Sequence, residues 1–185
     1  MRRLFPGECA LLVVDVQDKL AAAMPAAQVA ELTRATTVLI EAARLLGARV
    51  LATEQYPSGL GPTIAPVAER LREAGIVPVD KMAFSAWDAG ELARAFGATG
   101  ARAAVVVGME THVCVFQTVR DLAASGVEVH VPIDGVASRR DDHRAAGLEL
   151  CRAAGATLTT METVVFDWLR RAGTDPFKRL SKLIR

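Results

Sequence analysis

The sequence has no apolar run near the roughly 20 residues that cross a bilayer, which excludes a membrane-spanning helix by length. It has almost no net charge (+1), so it lacks the basic footprint that nucleic-acid binding needs. Its first residues, Met1-Arg2-Arg3-Leu4-Phe5-Pro6-Gly7-Glu8, lack the apolar core of a secretory signal. The three cysteines, Cys9, Cys114 and Cys151, are too few and too scattered for a disulfide framework. Together these absences lead us to expect a reducing, cytoplasmic setting. There is no linker, internal repeat or low-complexity segment, so one domain is expected over all 185 residues. Lysine is scarce as well: only Lys19, Lys81, Lys178 and Lys182 are lysines among 22 basic residues.

Hydrophobic residues make up 51% of the chain and charged residues 23%, the balance of a folded globule with a sizeable core. Ala10-Leu11-Leu12-Val13-Val14-Asp15-Val16 reads as a buried central strand. Residues 18–25 read as a loop, with Pro25 opening a helix over 26–46 that Gly47 closes. Further strands are expected at 49–53, 76–81, 102–107, 126–131 and 156–158, the third at an edge because of Pro78. Between 49–53 and the next helix (66–73), residues 54–63 form a loop rich in Gly and Pro. Later helices are expected over 88–96 with Asp88 as N-cap, over 115–125, from a capping box at Ser138-Arg139-Arg140-Asp141 through Cys151, and over 162–170. A last short helix, with Asp175 and Pro176 as N-cap and N1, carries a basic face. That face could meet a membrane surface, but the helix is short and is expected to pack onto the body or a neighbouring subunit. This alternation predicts an α/β fold of three layers (α/β/α) around a six-stranded, mostly parallel Rossmann-like sheet.

In such a sheet, ligands bind at the carboxyl ends of the strands. Asp15, Lys81 and Cys114 fall at the ends of the first, third and fourth strands. Each has an ordinary explanation: a turn Asp, a solvated Lys, a small buried Cys. Cys114 also falls where a strand turns into a helix, and the positive end of a helix dipole favours a thiolate. A carboxylate, an ammonium and a thiol form a consistent set: the carboxylate can take the thiol proton, and the ammonium holds the carboxylate charged. Gln17 could face the same cavity, and Phe84 and Trp87 are apolar enough to line it.

Three segments carry a resemblance: Leu12-Val13-Val14-Asp15-Val16-Gln17, Lys81 followed by Phe84-Ser85, and Gly108-Met109-Glu110-Thr111-His112-Val113-Cys114-Val115. They resemble the isochorismatase-like cysteine hydrolases, and the likeness runs from about residue 8 to residue 168. The loop Thr53-Glu54-Gln55-Tyr56-Pro57-Ser58-Gly59-Leu60-Gly61 is similar to that of the uncharacterised small-hydrolase branch. The resemblance implies Asp15, Lys81 and Cys114 as catalytic residues, a cis peptide at Met109–Glu110, and an oxyanion hole made by the N–H groups of Glu110 and Cys114. Nicotinamidases of this family hold a metal through an Asp and two His near the second strand. That region here has Glu54 but no His, so neither a metal nor any other cofactor is expected. True isochorismatases lack the Cys, so Cys114 speaks against that substrate.

The resemblance thus implies a hydrolase of a small C–N bond, amide or ureido, working through a thioester. Gln17, Gln55, Tyr56, Phe84, Trp87 and His112 are the candidate substrate contacts. A non-catalytic thiol protein that binds a metabolite or electrophile, and an ester or vinyl-ether hydrolase on the same fold, stay open. Partners are expected to be a small-molecule substrate and further copies of the chain, with Phe84, Trp87 and Phe177 suited to an interface.

Overall fold

A computed structural model describes residues 3–184. Of the N-terminal segment read above, Met1 and Arg2 lie outside the described residues.

The chain alternates strand and helix. Its elements are β1 (Cys9–Val14), α1 (Asp18–Ala22), α2 (Ala26–Leu46), β2 (Arg49–Gln55), α3 (Pro57–Leu60), α4 (Ala65–Glu73), β3 (Val79–Lys81), α5 (Gly90–Thr99) and β4 (Ala103–Met109). A π-helical turn (Thr111–Val115) follows and runs into α6 (Phe116–Ala124); then come β5 (Glu128–Pro132), β6 (Val136–Ala137), α7 (Asp141–Ala153), β7 (Thr157–Thr159), α8 (Met161–Leu169) and α9 (Asp175–Ile184). The sheet is parallel, in the order β3-β2-β1-β4-β5-β7, with β6 pairing to the end of β4. Crossing from β1 outward in both directions is the doubly wound arrangement.

Both faces of the sheet are covered, so its central strands are apolar throughout, and every residue of β1 and β4 is buried. Leu11, Val13, Val105 and Val107 pack with α2, α4, α8 and α9 on one side. Leu12, Val14 and Val106 pack with α5, α6 and α7 on the other. The two-residue alternation of a strand produces these two cores from one apolar run.

Several expectations need correction. The six expected strands form the continuous sheet, and a seventh among the described residues, β6, is only two residues long, too short to leave a pattern. Part of the expected loop 18–25 is helix α1, and a single turn, α3, lies inside the Gly- and Pro-rich loop. Asp88 does not cap α5, which starts at Gly90. The expected capping box does not form: α7 begins at Asp141 after Arg140, and Ser138 bonds elsewhere. Asp175 lies inside α9, and the Thr174 hydroxyl accepts the Phe177 N–H at 3.3 Å instead. The last helix packs on the body: Leu180 is fully buried, and Arg179 reaches the Glu41 carboxylate at 2.7 Å on α2. No helix among the described residues is long and apolar enough to cross a membrane.

Gly108 sets how closely β4 approaches β1. It pairs with Val14 at the end of the ladder and has φ +138°. A Cβ there would lie 1.9 Å from the Val14 carbonyl oxygen. Only glycine permits both the dihedral and the contact. Gly108→Ala is therefore expected to destabilise the protein by at least about 2 kcal/mol, from backbone strain and overpacking together. Gly97→Ala, in the open interior of α5, serves as control and should be neutral or stabilising by about 0.5–1 kcal/mol. Denaturant unfolding of the two variants measures the contrast.

Candidate active site

Four adjacent strands, β3, β2, β1 and β4, end side by side, and residues at or just beyond these ends build the site. Asp15 follows the last residue of β1 in a left-handed conformation, φ +52°, which Asp tolerates better than most residues. Its N–H donates to the Thr53 carbonyl at 3.1 Å, adding one bond to the β1–β2 ladder. Its carboxylate accepts from the Thr53 hydroxyl at 2.7 Å and from Lys81 Nζ at 2.6 Å.

Lys81 is the last residue of β3 and pairs in register with Gln55. Its ammonium also donates to Gln55 Oε1 at 2.8 Å and to the carbonyls of Phe84 at 3.0 Å and Ala83 at 3.1 Å. Both side chains of the Asp15–Lys81 pair are 0% exposed. A buried ion pair is tolerated only when its remaining donors and acceptors are satisfied, and here each has additional partners.

The Cys114 thiol lies in the π-helical turn, 6% exposed, within electrostatic reach of the Asp15 carboxylate. Three anchors fix the turn. The Thr118 hydroxyl donates to the Cys114 carbonyl at 2.7 Å and accepts the Ala86 N–H at 2.9 Å, tying the turn to the 85–87 loop. The Thr111 N–H donates to Ser138 Oγ at 3.1 Å. Gly147 of α7 lies so close that a Cβ would stand 2.7 Å from the His112 backbone nitrogen. The Met109–Glu110 peptide that leads into the turn is cis.

The thiol is not poised as a thiolate. Burial, and then the Asp15 charge, push Cys114 up to about 12, with Lys81 pulling the other way. Burial raises Cys9 and Cys151 to about 12 as well. Burial and the Asp15 charge thus act against the thiolate that proximity to a helix start would favour.

The remaining predicted residues fall into two groups. Gln17 and Gln55 are buried struts. The Gln17 amide donates to the carbonyls of Gln55 at 3.0 Å and Gly61 at 2.6 Å and accepts the Gln55 N–H at 2.8 Å. The Gln55 side chain bridges Lys81 and the Met82 carbonyl, the latter at 2.9 Å. Tyr56, Phe84 and His112 are nearer the surface. Tyr56 lines a shallow depression with Pro57, Ser58, Asp80, Lys81 and Met82. Phe84 is 56% exposed, although its carbonyl holds Lys81. His112 is half-buried, its Nδ1 3.1 Å from Ser138 Oγ. Trp87 stacks edge-on against Phe96 at 5.5 Å, at the margin of the second core.

Sequence reasoning missed Thr53, Ser138, Arg139 and Thr118. Register alone would have placed Thr53 beside Asp15, and helical spacing places Thr118 on the Cys114 carbonyl; Ser138 and Arg139 come in only through tertiary packing. No group of three His, Cys, Asp or Glu side chains among the described residues is arranged to hold a metal. Glu54, the acidic group near the second strand, does not fit the role: its Oε1 accepts from the Thr63 N–H at 2.7 Å and hydroxyl at 2.6 Å, pinning the loop.

The signs of the charges on Cys114 give a test. Asp15 raises the thiol pKa and Lys81 lowers it. Asp15→Asn should therefore move the Cys114 alkylation profile to lower pH, and Lys81→Met should move it higher. Mass-spectrometric labelling of each cysteine across pH by an uncharged reagent reads this out, and unchanged profiles would contradict the geometry. Lys81→Met leaves a buried carboxylate unpaired and should also lower stability by about 3–5 kcal/mol.

A profile of the Isochorismatase domain matches residues 9–163. The protein named "Secreted isochorismatase effector Isc1", from Phytophthora sojae, is 37% identical over 186 residues, spanning 99% of this chain and 87% of that one. A Caenorhabditis elegans structure described as the MAR1 ribonuclease superposes with a TM-score of 0.88 at 34% identity, covering 99% of this chain and 92% of that one. The YcaC gene product of Escherichia coli, described as an octameric hydrolase of unknown specificity, superposes with a TM-score of 0.88 over 98% of this chain and 90% of its own. At 22% identity it shows the shared fold. With its doubly wound sheet and a domain match over most of its length, the chain belongs to the isochorismatase family.

Proposed function

We propose that this chain, acting as one domain, is a cysteine hydrolase that cleaves a C–N bond, amide or ureido, in a small molecule through a thioester acyl-enzyme. The observation that carries the reading is the buried Lys81–Asp15 contact at 2.6 Å, with the Cys114 thiol close enough to feel both charges. A buried carboxylate fixed by Lys81 and Thr53 is an oriented proton acceptor.

The chemistry follows from the neutral thiol. Substrate entry brings a carbonyl carbon to Cys114. Asp15 takes the thiol proton as sulfur attacks, so the thiolate exists only during reaction. Charge builds on the carbonyl oxygen, which the N–H groups of Glu110 and Cys114 receive. The tetrahedral intermediate collapses, and Asp15 returns the proton to the departing nitrogen. The same carboxylate then deprotonates water, which attacks the thioester and releases the acid, and the proton goes back to sulfur. Lys81 stays charged throughout and keeps Asp15 in place.

Cytoplasmic location fits three unpaired thiols. Assembly from several copies fits the exposed Met82 and Phe84 and the octameric description of YcaC. A second reading is a protein that captures an electrophile without turnover.

Ammonia release from a panel of small amides and ureides tests the proposal. Wild type is expected to turn over continuously. Cys114→Ala should lower kcat/KM by about 10⁴-fold or more with its melting temperature unchanged. Thr53→Val, which removes one hydrogen bond from Asp15, should lower it about tenfold. A single stoichiometric adduct without turnover would establish the capture reading, and turnover of a parallel set of esters or vinyl ethers with no ammonia from the amides would assign that bond instead. RNA, as a further substrate, should remain intact.

A further inference from the structure

A cluster of polar groups borders the nucleophile turn and takes no part in the proton transfers above. Glu110, 6% exposed, opens the turn. Its carboxylate accepts the Arg139 backbone N–H at 3.1 Å and Arg139 Nε at 3.1 and 3.2 Å. The guanidinium is thus held side-on, through Nε alone. Its two Nη groups have no hydrogen-bond partner among the described residues, and the side chain is 59% exposed. An arginine serving only as a counter-ion would normally present its fork to the carboxylate, since the bidentate arrangement is the stronger one. Here the fork is left open.

His112 adds a second donor. Ser138 is fully buried, and its oxygen already accepts the Thr111 N–H. Its own hydroxyl proton needs an acceptor, and His112 Nδ1 is within reach at 3.1 Å. The imidazole proton is thereby assigned to Nε2, which also has no partner among the described residues. Burial lowers the His112 pKa, so near neutrality the ring donates as a neutral group. His143 of α7 packs tilted against it, ring centroids 4.6 Å apart. Both open donors therefore border the turn that carries Cys114.

Resting on the hydrolase reading, we infer that Arg139, with His112 beside it, is the specificity-determining element of this site and receives a carboxylate of the substrate. The substrate class is then a small amide or ureide that also bears a carboxylate. Glu110 orients the guanidinium by occupying Nε. It also offsets the positive charge when no anion is bound. The planar fork matches a planar carboxylate through two parallel hydrogen bonds.

Succinamate and succinamide differ in one group, carboxylate against neutral amide, and serve as probes. Their binding to the Cys114→Ala protein is measured by calorimetry, so no turnover is needed. Succinamate is expected to bind about tenfold or more tightly than succinamide. Adding Arg139→Gln should bring the two within about twofold, the level of a lost charge-assisted contact. Arg139→Lys keeps a cation on Glu110 but removes the fork, so a large loss of preference there cannot be ascribed to an unpaired Glu110; melting temperatures check the fold. Equal binding, binding of neither compound, or a preference that survives Arg139→Gln overturns the inference. Arg139-dependent binding of succinamate by a protein that hydrolyses no amide keeps the anion site and removes the hydrolase reading alone. Continuous hydrolysis of both compounds with equal binding does the reverse.

Discussion

The buried contact between Lys81 and Asp15 is the constraint on which the site depends. Two opposite charges with no solvent exposure are stable only when every remaining donor and acceptor is matched. That requirement reaches outward. Lys81 needs the Gln55 amide and two carbonyls of the 83–84 segment. Asp15 needs Thr53. Gln55 in turn needs Gln17 and the Met82 carbonyl. Three strand ends and two loops are thus held in one hydrogen-bonded frame. Residues that look like substrate contacts in the sequence, Gln17 and Gln55, are consumed by it.

The fourth strand meets this frame by a different device. Gly108 lets β4 lie against the Val14 carbonyl, closer than any side chain would allow. The chain then turns through Glu110 into a π-helical turn, and α7 presses on that turn at Gly147. Close backbone approach at these two glycines brings the sulfur to the Asp15 carboxylate. Packing, and not a favourable resting charge on sulfur, makes the arrangement. The thiol is raised by burial and by the same carboxylate that is proposed to deprotonate it. The outer rim differs in character: the Glu110–Arg139 pair is half at the surface, where exchange with water and ligand is possible.

How much of this was legible in the sequence follows from the range of each interaction. The continuous apolar runs at 10–16 and 105–107 read as buried parallel strands because burial on both faces demands them. Asp15, Lys81 and Cys114 were legible as strand-end groups because a doubly wound sheet gathers its carboxyl ends. Gly47 closes α2 as expected, with φ +82°. What was misread is local and short. The two-residue β6, the single turn α3 and the five-residue α1 are too brief for a periodic pattern. Ser138 matched a capping pattern, but its hydroxyl is engaged 27 residues away by Thr111.

The sequence by itself determined the main alternation of strand and helix, the apolar core and the candidates Asp15, Lys81 and Cys114, because these rest on periodicity and residue chemistry. Tertiary structure alone decided which of the many arginines faces Glu110, which threonine orients Asp15, and the sign of the shift on the thiol. Those depend on distance and on the exclusion of water, and neither exists until the strands are side by side.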